Sequence, residues 1–321
     1  MAEHAMYFAS DSEHKKYKIK NVTLKVLLYL FLTIFALFML LPFVFMIVGS
    51  FIKSDSFDYF TTYADFSKLG FDNWTFNNYV KIFATTYNDN LGNLVSRPSF
   101  AQYFLNTFIV AVGSTLVTVV TAVLAAFAFA RLEFKGKELL FTLLLATMMI
   151  PGEMMVITNY QTTIALDWKF TFSALIFVHG VSVFYIFYLR QNFQQIPNEL
   201  YLAAKVDGVS DIGYLLKVMI PIAMPTIMTI VILSLMGSWN SFVWPTLVAN
   251  GNWKFMNSGS NKYDMRLVSN GLMSLFSSDV AKGEDSVKIA GSMVVTAPLF
   301  VFFLCFRKYI MRGVSRSGIK G

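Results

Sequence analysis

Glu153 follows Pro151-Gly152 in "MMIPGEMMVITNY" (148–160), inside an otherwise apolar run. An ionised carboxylate at the centre of a membrane helix costs roughly 2.5–3.5 kcal/mol on insertion scales, so it is expected to face protein or water. Two roles are open to it: a gate or pathway contact, or a carboxylate capping backbone that the proline frees. His179-Gly180 poses a similar choice, between lining a pathway and sitting as a satisfied core histidine. A third group, Ser238, Trp239, Asn240, Ser241 and Trp244 in "GSWNSFVWP" (237–245), joins aromatic faces to amides and hydroxyls. Such mixtures bind sugars, rings stacking on C–H faces while amides meet hydroxyls. The competing reading is an aromatic belt at the membrane surface.

Other chemistry is missing from the sequence. There is no G-x-x-x-x-G-K-[ST] phosphate loop, no H-E-x-x-H, no G-x-S-x-G and no Cys/His cluster. His4, His14 and His179 are too scattered for a metal site, and the single cysteine, Cys305, excludes an internal disulfide. No enzyme active site is expected, and no cofactor bound by this chain.

The elements that must position these residues are membrane spans. Mean hydropathy is +0.56 and only 14 % of residues are charged, against roughly a quarter in soluble domains. The deficit is concentrated in six runs near the ~20 residues a bilayer requires: 26–49, 104–130, 139–158, 172–189, 222–249 and 287–306. The first exceeds the 7–15 apolar residues of a signal peptide and has no small-residue cleavage site, so it reads as a retained span. The tail 1–25, the loop 131–138, the segment 190–221 and the tail 307–321 carry sixteen Lys and Arg against eight acidic residues. The opposite loops, 50–103, 159–171 and 250–286, are near balance, which places both termini in the cytoplasm. The net charge of +7 thus reflects topology and gives no reason to expect nucleic acid. A short helix is expected near Asn77–Phe83 within the 50–103 loop.

Segment 190–221 is too organised for a simple connection. Pro197 ends what precedes it and can start a helix. Asn198 can cap that helix, Glu199 complements its dipole, and Gly208 can take the positive φ that stops it. Ser210 can cap a second helix in which Ile212, Leu215, Leu216 and Met219 form one apolar stripe. Pro221 and Pro225 mark the entry to the fifth span. The expected object is a helix–turn–helix at the membrane surface. Ala203, Ala204 and Gly208 allow close approach, and the element either docks on another protein or seals the bundle.

The stretch "ELYLAAKVDG" (199–208), followed nine residues on by "VMIP" (218–221), resembles the EAA signature of ABC importer permeases. "MMIPGEMMVITNY", "FYLRQNFQQIPN", "GSWNSFVWP" and the C-terminal "RKYIMRGVSRSGIKG" are similar to motifs of the carbohydrate-importer branch, most of all to the smaller permease of maltose transporters. The resemblance runs from about residue 75 onward. It implies an all-α polytopic membrane protein with six transmembrane helices, the type I importer permease fold, in a bacterial or archaeal cell membrane. It further implies a coupling element made of Glu199, Leu202, Ala203, Ala204, Asp207, Gly208 and Pro221, seated in a cleft of a cytoplasmic ATPase dimer that binds the ATP and Mg. The other partners implied are a second permease, a solute-binding protein outside and a sugar or oligosaccharide. The loop 250–286 would reach the binding protein, and the C-terminal tail the ATPase. Two positions depart from the signature: Leu202 replaces its glutamate, and Val209 a small residue. Glu199, one turn earlier, either substitutes for that glutamate or leaves a more apolar docking surface; a lost surface ion pair costs only about 0–1 kcal/mol. Alternatives are an importer of peptides, a polyol or a phosphorylated alcohol, and a self-contained secondary transporter or channel.

Overall fold

The computed structural model describes residues 11–84, 86–88, 94–96, 100–258, 261–277 and 284–315. Helix α1 (Asp11–Phe51) opens the chain. None of its most apolar window is buried, as befits a helix apolar on all sides whose surroundings are lipid or another protein. It joins the bundle at its C-terminal end, where Gly49 lies against Phe57 and Ile289. The loop that follows folds as α2 (Ser54–Tyr63) and α3 (Asn77–Phe83), the latter at the expected position. The Asn78 side-chain amide ties α3 back to the chain by donating to the Ser50 and Ile52 carbonyls at 2.9 and 2.7 Å. A small hairpin, β1 (Thr86–Asn88) and β2 (Leu94–Ser96), completes the loop.

Helix α4 (Phe100–Arg131) is the axis of the bundle. Its buried face carries Ser114, Thr118, Ala122 and Ala126 at four-residue intervals. Small residues at that spacing let neighbouring backbones come close, the usual basis of helix packing in lipid. Against it lie α8 (Val183–Gln194) and α11 (Ile220–Trp239). The last long helix, α14 (Asp285–Ser315), packs on α1, α3 and α11.

Three expected spans are not single straight helices. The third, read as 139–158, is α5 (Lys137–Ala146) and α6 (Met155–Ala165), bent by 81° where Pro151 interrupts the ladder. The fourth, read as 172–189, is α7 (Phe172–Ile176) and α8, with non-helical backbone over 177–182 between them. The fifth, read as 222–249, ends at Trp239; residues 240–242 break it before α12 (Val243–Val248). Four helices among the described residues are long and apolar enough to cross singly, and the bent pair makes five. The fold is that of a polytopic α-helical membrane protein.

At the end of the bundle opposite segment 190–221, the 250–286 loop is built rather than loose. It contains a hairpin, β3 (Asn252–Ser258) with β4 (Asn261–Asp264), and α13 (Val268–Ser277). Asp264 and Arg266 pair at 2.6 Å. Asn106 of α4 donates to the carbonyls of both at 2.8 and 2.9 Å, and Tyr103 donates to the Asp264 carboxylate. The hairpin's base is therefore fixed to α4; residues 259, 260 and 278–283 of this loop lie outside the described part, as do 316–321 of the C-terminal tail. Because Asn106 is fully buried, Asn106→Leu strands two carbonyls and is expected to destabilise the protein by about 1–3 kcal/mol. Thermal unfolding of the detergent-solubilised protein measures this as a lowered Tm.

Candidate functional site

The segment read as a coupling element forms a compact knob. Helix α9 (Asn198–Val206) begins after Pro197. Asn198 does not cap it: Pro197 holds the N-cap position and no side chain bonds there. The helix ends in a Schellman motif. The Gly208 N–H donates to Lys205 O at 3.1 Å and the Val209 N–H to Ala204 O at 2.9 Å, with Gly208 at φ +75°. Asp207 closes the helix by donating its N–H to Ala203 O. Ser210 then caps the next helix, its hydroxyl accepting from the Gly213 N–H at 3.1 Å.

That next helix is not separate. α10 (Asp211–Tyr214) continues through a π turn at Leu215–Met219 into α11, giving one helix over Asp211–Trp239. The Ile220 N–H reaches back five residues to Leu215 O. A wider turn just ahead of Pro221, which brings no N–H of its own, lets the helix pass this residue without ending. Pro221 and Pro225 are thus inside the helix rather than at its boundary.

The expected stripe also divides. Leu215 and Met219 are buried with Tyr214 against Val123, Ala126 and Phe127 of α4 and Leu189 and Phe193 of α8. Ile212 (65 % exposed) and Leu216 face outward. The two arms of the knob are braced. Lys205 pairs with Asp211 at 2.6 Å, the Tyr201 hydroxyl donates to Asp211 at 2.7 Å, and Tyr201 meets Tyr214 edge-on at 5.1 Å. The hydrogen bond to Asp211 holds the Lys205 ammonium above its usual pKa. The outer surface carries Glu199, Leu202, Ala203, Asp207 and Gly208, all exposed, while Ala204 packs partly against the bundle core. Leu202 (55 %) and Val206 (89 %) give that surface an apolar patch beside the Glu199 and Asp207 carboxylates.

Near the C-terminal end of α11 the bundle holds a partly open cavity of about 270 Å³. Its walls are Ser114 and Thr118 of α4, Ser234 and Ser238 of α11, and His179 and Ser182 from the break between α7 and α8. Ser241 and Trp244 border it too. Non-helical backbone at membrane depth is tolerated where it lines a cavity or is buried in protein. Here Thr121 donates to the freed Gly180 carbonyl at 2.8 Å, and Ser182 caps α8. His179 stands edge-on to Trp244 at 5.2 Å, and the Trp244 indole N–H donates to Ala174 O at 2.9 Å. Trp244 is buried, not part of a surface belt.

Of the pathway candidates, His179 and Ser241 come together here; three others do not. Trp239 turns toward α14, its N–H on Val295 O at 3.3 Å and its ring beside Phe104. Asn240 folds back onto Met236 O as a cap for α11. Glu153 is exposed at the Pro151 bend, outside the lining of the cavity. Ser114, Thr118 and Ser234 escaped sequence reasoning because hydroxyls in an apolar run pass for ordinary packing residues. Among the described residues no group of three or more His, Cys, Asp or Glu is placed to hold a metal ion.

Residues 118–316 match the family described as "Binding-protein-dependent transport system inner membrane component". The chain belongs to this family. The permease is 28 % identical over 222 residues to the arabinooligosaccharides transport system permease protein AraQ of Bacillus subtilis, covering 69 % of this chain and 74 % of that one. It is 28 % identical over 306 residues to the trehalose/maltose transport system permease protein MalG of Thermococcus litoralis, covering 94 % and 99 %. It is also 26 % identical over 311 residues to the polygalacturonan/rhamnogalacturonan transport system permease protein YtcP of Bacillus subtilis, covering 94 % and 100 %. A chain from the crystal structure of a bacterial ABC transporter involved in the import of the acidic polysaccharide alginate shares the fold. Its TM-score is 0.69 at 20 % identity, over 95 % of this chain and 99 % of that one. The permease family is a transport component, not an enzyme family.

The break that lines the cavity depends on a close helix approach. A Cβ at Gly180 would stand 2.6 Å from Val117 Cγ1, and a β-branched side chain on a helix has little rotamer freedom to yield. Gly180→Ala is expected to destabilise the permease by about 1–3 kcal/mol. Val117→Ala in the same chain should return most of that loss, as read by thermal unfolding of the single and double variants.

Proposed function

We propose that this permease is one of two membrane subunits of a solute-binding-protein-dependent importer, forming half of the translocation pathway for a sugar or oligosaccharide. Both termini and segment 190–221 face the cytoplasm in this reading, and the loops 50–103 and 250–286 face outward. A cytoplasmic ATPase dimer binds ATP and Mg and seats the α9–α10 knob. Closure of that dimer moves the knob, and the helix 211–239 carries the movement to the cavity walls, alternating access between the two sides. The binding protein delivers solute at the outer face.

One observation carries the reading: the α10 arm of an internally braced knob, whose outer face exposes Leu202 and Val206, runs without a helix break into the helix that lines a hydroxyl-rich cavity. A helix end that only sealed the bundle would turn its apolar residues inward, whereas Leu202, Val206, Ile212 and Leu216 point away. The lost signature glutamate fits the same picture, since an apolar crown offers area burial in place of an ion pair. The sugar class is supported by the cavity's hydroxyl and aromatic lining and by the transport systems of the relatives named above.

Two variants test it in proteoliposomes containing the ATPase, the second permease and the binding protein, with labelled oligosaccharides as solutes. At Gly208 the space beyond a Cβ is empty, so Gly208→Val meets no neighbour in this chain and pays only the left-handed backbone cost, about 1–2 kcal/mol. It is expected to insert normally yet lose ATP-driven uptake at least about tenfold, through uncoupling or failed assembly. Gly237 borders the cavity and likewise has empty space before it. Gly237→Leu should fill the pathway, cutting uptake roughly tenfold while ATPase assembly and Tm hold. Normal uptake by Gly208→Val would contradict the coupling role, and normal uptake by Gly237→Leu the pathway role of the cavity.

A further inference from the structure

Helix α4 ends on Arg131, whose side chain is buried (8 % exposed). One guanidinium nitrogen donates to Phe193 O at 2.8 Å and to Ile196 O. These carbonyls close α8 and stand immediately before Pro197, where the knob begins. Arg190 on α8 returns the contact. Its Nε donates to Phe129 O near the end of α4 at 3.1 Å, a terminal nitrogen bonds Glu138 at 3.0 Å, and the guanidinium lies 3.9 Å from the Phe141 ring centre. Each arginine sits at the C-terminal end of the other helix, at the negative end of its dipole, where the last carbonyls lack i+4 partners; Phe193 O also accepts from the Ile196 N–H at 3.2 Å.

The two arginines are not equivalent. Arg190 has a carboxylate, Glu138, which offsets its charge. Arg131 bonds backbone carbonyls, has no ion pair among the described residues, and its buried Nε lacks a hydrogen-bond partner. Retaining a partly unsatisfied buried cation is costly if a neutral cap would serve. A charge-assisted bond to two carbonyls is stronger than a neutral one and holds the position of the chain it grips. The chain gripped here is the Phe193–Ile196 turn at the root of the knob. Thirteen residues back along α4, about 20 Å at helical rise, Thr118 lines the cavity, with Ser114 one turn further.

The geometry points to Arg131 as a positioning residue that transmits displacement of the knob into α4, so that the α4 wall of the cavity moves together with the α11 wall. This rests on the coupling role of the knob. The knob then has two outputs: the continuous helix 211–239, and the Arg131 clamp to α4. A clamp confined to stabilising the fold would affect assembly and rate alike, whereas a transmitting clamp sets how much transport each ATP yields.

The test uses the complete importer in proteoliposomes and reads the ratio of solute taken up to ATP hydrolysed. Arg131→Met is expected to keep ATP hydrolysis within about twofold of wild type while the ratio falls at least about fivefold. Arg131→Lys, which keeps a cation able to reach the same carbonyls, should recover the ratio to within about twofold. An unchanged ratio in Arg131→Met, including a proportional fall in uptake and hydrolysis, would overturn the proposal. A second measurement leaves Arg131 in place: spin labels at exposed Leu124 on α4 and at exposed Asn198 of the knob, clear of the docking face. Their separation should hold within about 2 Å between nucleotide-free and ATP-bound importer; a larger change would equally overturn the proposal. Failure of the coupling role itself would appear separately, as absence of ATP-dependent uptake by the wild-type complex.

Discussion

Backbone N–H and C=O groups at membrane depth have no water to bond, and any spanning element must satisfy them from within the protein. This chain nevertheless breaks its spans at Pro151, over 177–182 and after Trp239. The last two breaks border the cavity. There the freed groups are met by Thr121 on Gly180, by Ser182 at the start of α8, and by Asn240 folding onto α11. The small residues along α4 make this possible, because they bring α8 and α11 close enough for hydroxyls to reach across, as Ser114 does to Ser238 at 3.0 Å and Thr115 to Ser234 at 3.2 Å. The cavity is a consequence of this packing. Backbone breaks border it, and Ser182, which caps one of them, lines it beside the hydroxyls of Ser114, Thr118, Ser234 and Ser238.

The knob is organised on the opposite principle. Lys205 and Tyr201 pair with Asp211 and the α9 carbonyls with the Schellman turn, while the Tyr214 hydroxyl is buried without a partner. The knob's outer surface exposes Leu202, Val206, Ile212 and Leu216 beside Glu199 and Asp207. Such a surface suits a partner that removes it from water, and the π turn before Pro221 keeps the knob joined to a membrane helix that two prolines would otherwise interrupt. The α9 arm is tied through its Schellman turn and the Lys205–Asp211 pair to a helix whose far end borders the cavity.

Much of the knob was legible because its signals are local. Gly208 takes the positive φ read from its position, and Ser210 caps as its spacing implies. The Pro151 bend was legible for the same reason. What escaped reading depends on contacts distant in sequence. Nothing in the composition of 172–189 distinguishes a straight span from one opened at His179-Gly180; the difference lies in Val117 and Thr121 on another helix. A helix lying on the membrane surface would keep the 212–219 stripe on one face, whereas continuation into α11 buries Leu215 and Met219 and leaves Ile212 and Leu216 outside. Trp239 and Asn240 shared a motif with Ser241 but not a direction, since α11 ends between them. Arg131 and Arg190 looked like flanking positive charges, and only the fold shows them clasping each other's helices.

The central claim is that the outer face of the knob docks on a nucleotide-hydrolysing subunit. Val206 is its most exposed apolar side chain. Replacing it with p-benzoylphenylalanine in the full chain and irradiating intact cells places a photocrosslinker at that point. The account predicts a covalent adduct with a Walker-motif ATPase, identified by mass spectrometry of the crosslinked peptide. Crosslinks confined to lipid or to this chain's own helices would contradict it.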